Sequence, residues 1–154
     1  TIAGMRKILI DHNIKVSSKS AIDLDVIFQD ATEVLMYIPR AIQISFFSPF
    51  PNRWFKSDLT GTSIMMRKIS MFEMLLTYSI LLFLPLTFVY WKNKTEFWAP
   101  LFFCSSMMIL LALVTPNIGT LYRYRYPYLM ILITMSIIAA YKFIYKNIKL
   151  SNKN

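Results

Sequence analysis

Apolar residues fill positions 69–91, 97–115 and 126–145 almost without interruption, and polar residues gather between them. The first run carries one charge, Glu73, the second none, and the third only Lys142 near its end. About 20 helical residues cross a hydrocarbon core about 30 Å thick. The pattern therefore predicts three transmembrane helices. Pro85 should kink or weaken the first of them near its end. The polar stretch 92–96 is short enough to join the first two as an antiparallel hairpin. Pro116, Asn117 and Gly119 are turn formers that stop the second span, so 115–125 reads as a connecting loop. Trp91, Trp98, Tyr90 and the tyrosines between 122 and 128 fit belts at the membrane interfaces.

The first part of the chain follows another rhythm. Ile27, Ala31, Val34, Leu35, Ile38, Ala41 and Ile42 recur at three- and four-residue steps, which is a helical face. Asp23, Asp25, Asp30 and Glu33 stand at its start, where acidic residues suit the helix dipole. Pro39 predicts a kink near Ile38 or two shorter helices. The run from Phe46 to Phe55 holds four Phe, a Trp, an Arg and two prolines. It suits a segment lying at headgroup level, and equally a loop anchor beside a helix packed on the spans. The expected fold class is an all-α integral membrane protein, with three transmembrane helices preceded by an amphipathic or interfacial helical segment. Residues 1–66 form that segment, 67–145 the three-span region, and 146–154 a basic tail.

Composition agrees with the membrane class. Only 16% of the 154 residues are charged and 56% are hydrophobic, whereas soluble domains carry about a quarter charged residues. One Cys excludes a disulfide framework and a Cys-clustered zinc site, and one His excludes a His-rich metal site. No cofactor or metal is expected. The net charge of +9 is scattered, with aromatics in apolar runs, so no nucleic-acid partner is expected. Residues 1–16 lack the apolar core and cleavage site of a signal peptide, and the first residue is Thr1. The chain reads as the C-terminal piece of a longer protein. Loose Lys at 92, 94, 142, 146, 149 and 153 resembles a cytoplasmic flank. The opposite group, Arg53, Lys56, Arg67, Lys68, Arg123 and Arg125, is mostly Arg in structured-looking segments; at six against six the positive-inside rule does not decide, but the kind of charge differs. This difference places the C-terminus in the cytoplasm and residues 1–66 outside.

The motifs of soluble hydrolases, zincins and P-loop enzymes are absent. His12 stands alone in a polar segment and reads as surface. Asp23-Leu24-Asp25 can hold a divalent metal in principle but better fits the start of the amphipathic helix. Cys104 reads as a small packing residue in mid-span. Glu73, just inside the first span, is expected to pair with Arg67 or Lys68. The richest string runs Pro116-Asn117-Ile118-Gly119-Thr120-Leu121-Tyr122-Arg123-Tyr124-Arg125-Tyr126-Pro127. Two arginines at a span entrance, interleaved with tyrosines, offer planar forks to phosphate oxygens. Arg123 and Arg125 are therefore candidate contacts for phosphate or glycan, with Arg40 as a third, and the alternative is that they anchor the helix end to anionic headgroups and pair with Glu73. Asn117, Gly119 and Tyr122 would shape the loop.

Four strings together resemble a known group. They are Ala21-Ile22-Asp23-Leu24-Asp25, Tyr37-Ile38-Pro39-Arg40-Ala41-Ile42-Gln43-Ile44, Phe47-Ser48-Pro49-Phe50-Pro51-Asn52-Arg53-Trp54 and the 116–127 string. Their order and spacing resemble the C-terminal region of multispanning bacterial inner-membrane proteins of surface-polysaccharide gene clusters, described as O-antigen polymerase-like or membrane glycosyltransferase-like. The resemblance covers about residues 20–140. It implies a multi-pass bacterial inner-membrane protein acting on a polyprenyl diphosphate-linked glycan, surrounded by membrane lipids and other membrane proteins of the assembly. It assigns no catalytic residue. The alternative expectation is a small non-enzymatic membrane scaffold or subunit that binds a larger membrane partner.

Overall fold

A computed structural model describes residues 1–18, 20–50 and 61–151 of the chain. Six helices follow one another: α1 (Ile2–Lys15), α2 (Ala31–Phe47), α3 (Gly61–Leu81), α4 (Leu84–Trp91), α5 (Thr95–Val114) and α6 (Ile118–Ser151). No strand occurs among the described residues; one isolated bridge pairs Ala21 with Asn117. The protein is all-α, with three helical stretches long and apolar enough to cross a membrane: Lys68–Trp91, Thr95–Val114 and Ile118–Lys146. Only 17%, 33% and 28% of their most apolar windows is buried inside the protein. The remaining apolar surface needs acyl chains around it, because water would penalise it. Arg53, Trp54 and Phe55, read above as a headgroup-level anchor, lie outside the described residues, as does Lys153.

Each boundary has a local cause. The Thr1 hydroxyl accepts the Gly4 amide at 3.3 Å and caps α1. Glu33, in the first turn of α2, reaches back to accept the Gln29 amide at 2.7 Å, much as in a capping box. Helix α2 is one helix, not two: Pro39 sits inside it. The buried face of α2 is Tyr37, Ala41, Ile44 and Ser45. The expected face is thus rotated, since Leu35 and Ile42 are exposed. Tyr37 turns inward because its hydroxyl has polar partners there. The Pro85 break is found as a turn at Leu82 and Phe83, with Pro85 in the first turn of α4. At that position its missing amide proton matters little. The 92–94 connection between α4 and α5 is short, as expected.

The third span departs from expectation. It begins at Ile118 rather than 126, so 118–125 is helix instead of loop, with Pro127 inside. Asn117 explains the early start. Its side-chain oxygen accepts the Gly119 amide at 2.9 Å and the Thr120 amide at 3.3 Å, so the turn former is the helix cap. At its other end α6 continues through Ser151, including most of the stretch read as a tail.

The chain divides into two compact units. The first joins Thr1–Phe50 to Ser105–Tyr128. Its core includes Ile22, Phe28, Tyr37, Ala41, Ile44, Ala112, Leu113, Ile118 and Leu121. The second joins Pro51–Cys104 to Leu129–Asn154. There the aromatic series Phe88, Phe97, Trp98 and Phe102 packs edge to face and then stacked. The Ser79, Thr87, Thr134 and Ser136 hydroxyls donate to carbonyls three or four residues earlier. That satisfies polar groups within apolar helices. Cys104 is fully buried among these helices, as a packing residue would be.

Candidate functional site

The polar chemistry of the first unit starts with Arg6. Residues Arg6, Ile10 and Asn13 form the buried stripe of α1. Arg6 is 1% exposed, and a buried charge must be surrounded by partners. Its Nε donates to the Val26 carbonyl at 2.9 Å, Nη1 to the Leu113 carbonyl at 3.0 Å and Nη2 to the Asp23 carbonyl at 3.0 Å. The guanidinium also lies over the Phe28 and Tyr37 rings, 5.0 and 4.8 Å from their centroids. One planar fork thus ties α1, the 23–26 turn, α2 and the end of α5 together.

Asp23 is the next link. Its φ of 50° is left-handed, a conformation Asp tolerates better than most residues. This turn aims the carboxylate at α2, where it accepts the Tyr37 hydroxyl at 2.8 Å and both Nε and Nη2 of Arg40 at 3.0 and 3.3 Å. Burial pushes the Asp23 carboxyl up, but the hydrogen bonds from Arg40 and Tyr37 and the Arg40 and Arg6 charges outweigh it. The carboxyl sits below its ordinary range. Burial, then the bond to Asp23, pushes the Tyr37 phenol up to about 12. Arg40 is raised, chiefly by its bond to Asp23. Its Nη1 donates to Gln43 Oε1 at 2.7 Å, and its guanidinium lies 5.6 Å from the Phe50 ring centroid. The Arg40 side chain keeps 40% exposure, so a fixed guanidinium has one face open.

Asp23 has a measurable pH signature. A folded-state carboxyl held below its unfolded value stabilises the fold above the unfolded pKa of about 3.9. That stabilisation is lost as pH falls through the folded value. Asp23→Asn should therefore melt earlier than wild type at neutral pH, by about 1–2 kcal/mol in stability. The gap should narrow below about pH 4. Melting both proteins in detergent across that range checks it; a gap constant with pH would contradict the assigned ionisation.

Asn117 is a second hub. Its Nδ2 donates to Asn13 Oδ1 at 2.8 Å and Ser18 Oγ at 2.9 Å, while Oδ1 also accepts Ser20 Oγ at 2.8 Å. The backbone closes the same junction: Ile22 donates to the Pro116 carbonyl and Ile118 to the Ser20 carbonyl. Asn117→Ala should lower stability by about 1–2 kcal/mol, the scale of a lost N-cap. Asn117→Asp keeps the cap but loses both amide donors. A denaturant series should place it between wild type and Asn117→Ala.

The two arginines of the 116–127 string separate. On a helix, residues two apart point about 200° from one another, so helix instead of loop sends them to different sides. Arg125 is fully buried. Its Nη1 donates to the Ile44 and Ser45 carbonyls and its Nη2 to the Ser48 carbonyl. Those are end carbonyls of α2, so Arg125 serves as its C-terminal cap. Its guanidinium lies 5.5 Å from the Tyr122 ring centroid. Arg123 is exposed, and Gly119 is exposed beside the Asn117 cap. In the second unit, Glu73 is half-buried on α3 and Lys68 is exposed. The Arg67 side chain of the expected pair lies outside the described residues. His12 is exposed on α1.

Comparison of the chain with protein families, curated proteins and solved structures found no match. Arg6 is the site residue that sequence reasoning missed. Its signal was the 6–10–13 spacing, a charge and an amide flanking Ile10 on one face of α1. The Asp23–Arg40 pair had no local signal, since its members lie 17 residues apart.

Proposed function

We propose that the chain is a membrane-embedded component of bacterial surface-polysaccharide biosynthesis that acts on polyprenyl-linked glycans. In this reading it is the C-terminal part of a larger polymerase- or glycosyltransferase-like protein. One observation carries the proposal: the four strings of the resemblance are distant in sequence, yet bonds join them within the first unit. Asp23 bonds to Tyr37 and Arg40, Ile22 to Pro116, and Arg125 to the chain between Ile44 and Ser48. Arg40, held by Asp23 with its side chain 40% exposed, would contact the diphosphate, where donors stabilise the departing charge, and Arg123, exposed on a different side of α6 from Arg125, would contact another part of the glycan. Arg125 is a positioning residue that holds α2.

The test is glycan chain length in cells carrying variants of the whole protein. Arg40→Ala combined with Arg123→Ala should abolish long chains while protein level stays normal. Lys at both positions should restore them only in part, because an ammonium lacks the bidentate fork. Normal chain length in the double Ala variant would end the proposal. The low burial of the Lys68–Trp91 window, 17%, favours a second reading, a subunit that binds a larger membrane protein. Co-purification of a stoichiometric partner with unchanged glycan chemistry would select it.

A further inference from the structure

The second unit contains a cleft of about 280 Å³ where the α4–α5 turn meets α6. Its walls are apolar and soft: Trp91, Phe97, Pro100, Met135 and Ile138. Lys94 and Glu96 also line it, and Glu96 lies in the first turn of α5, where a carboxylate suits the helix dipole. The Lys142 ammonium lies 4.5 Å from the Trp91 ring centroid. That contact places Lys142 level with the end of α4, and hence with the Lys92–Lys94 turn. Beyond this level α6 continues. Lys142, Lys146 and Lys149 follow one another at four- and three-residue steps on one exposed stripe. Tyr141, Ile144, Tyr145 and Ile148 form another face, also exposed.

We infer that this cleft is a binding site for an anionic phospholipid. The acyl chain enters between Trp91, Phe97 and Met135, and the phosphate sits at the mouth between Lys94 and Lys142. The charge count supports an anionic headgroup over a zwitterionic one. Lys92, Lys94, Lys142, Lys146 and Lys149 gather here against Glu96, and clusters of four or more Lys next to a span recognise anionic lipid. Trp91 serves both parts, as a wall for the chain and as a surface for the Lys142 ammonium. The inference rests on the second unit alone and stands apart from the proposed glycan chemistry.

Tryptophan quenching by lipids with brominated acyl chains tests it. The protein, carrying Trp54→Phe so that only Trp91 and Trp98 report, is reconstituted in phosphatidylcholine vesicles. A minor fraction of brominated phosphatidylglycerol or brominated phosphatidylcholine is then added. The brominated anionic lipid should quench more strongly. Lys94→Gln and Lys142→Gln should each reduce that preference roughly five-fold. Met135→Phe, which narrows the cleft and keeps every lysine, should also lower the quenching. Equal quenching by the two lipids overturns the inference. So does a preference that survives Met135→Phe, because the lysines would then gather lipid without a cleft. If a Lys variant fails to fold, high salt on the parent protein replaces it, and a preference unchanged by salt overturns the inference.

Discussion

Replacing Arg6 with Met should lower the stability of the first unit by about 2–5 kcal/mol, since each buried acceptor left without a donor costs about 1–3 kcal/mol. The side-chain volume is nearly kept, so the loss is electrostatic rather than a cavity. Three carbonyls, of Val26, Leu113 and Asp23, lose the Arg6 donor at once, though that of Asp23 keeps the Val26 amide, and buried acceptors without donors are penalised. The aromatic pair Phe28 and Tyr37 also loses the cation that lies over both rings. Total stabilities are commonly about 5–15 kcal/mol, so this change threatens the fold itself. Arg6→Lys should recover only part of the loss, because one ammonium cannot serve three carbonyls along the directions the planar fork does. Thermal melts in detergent give the order wild type, Arg6→Lys, Arg6→Met. A Met variant that melts with wild type would mean that the Arg6 bonds contribute nothing net.

The second large effect is expected at Arg125. Its Met variant leaves the Ile44, Ser45 and Ser48 carbonyls without their charged donor. It also removes a positive charge from a helix C-terminus, worth about 0.3–2 kcal/mol by itself. With the buried carbonyls left without that donor, the total should approach about 3 kcal/mol, concentrated at one place. Hydrogen exchange should therefore accelerate in the last turns of α2 far more than in α1. Uniform acceleration across the first unit, or none, would refute the capping role. The result bears on the proposed function as well. Arg125→Met should impair glycan assembly by loosening α2, whereas Arg123→Ala should impair it with the melt unchanged.

What the sequence made legible was what depends on neighbours along the chain. The three spans were visible because hydropathy sums over a local window, and Pro85 marked the break before α4. The short 92–94 connection followed from its polarity. What was hidden depended on partners far away. Asn117 looked like a turn former because cap and turn call on the same side chain; the Gly119 and Thr120 amides it caps distinguish the two roles, and its bonds to Asn13, Ser18 and Ser20 come from far along the chain. Arg123 and Arg125 looked equivalent until the helix starting at Ile118 set them on different sides. The buried face of α2 turned towards Tyr37 because Asp23 and Arg6 wait there, and neither is predictable from α2. Arg40 was singled out as a contact, but the carboxylate that fixes its fork belongs to a turn 17 residues earlier.

The make-up of the first unit also sets an order of biosynthesis. Its early portion ends at Phe50 and its late portion begins at Ser105, so the ribosome delivers the two at different times. At about 5–20 residues per second, the wait is on the order of several seconds. During it α1 and α2 exist without Leu113 to receive Arg6 and without Arg125 to close α2. The nascent protein must therefore carry Arg6 without its Leu113 acceptor until the segment around Asn117 emerges.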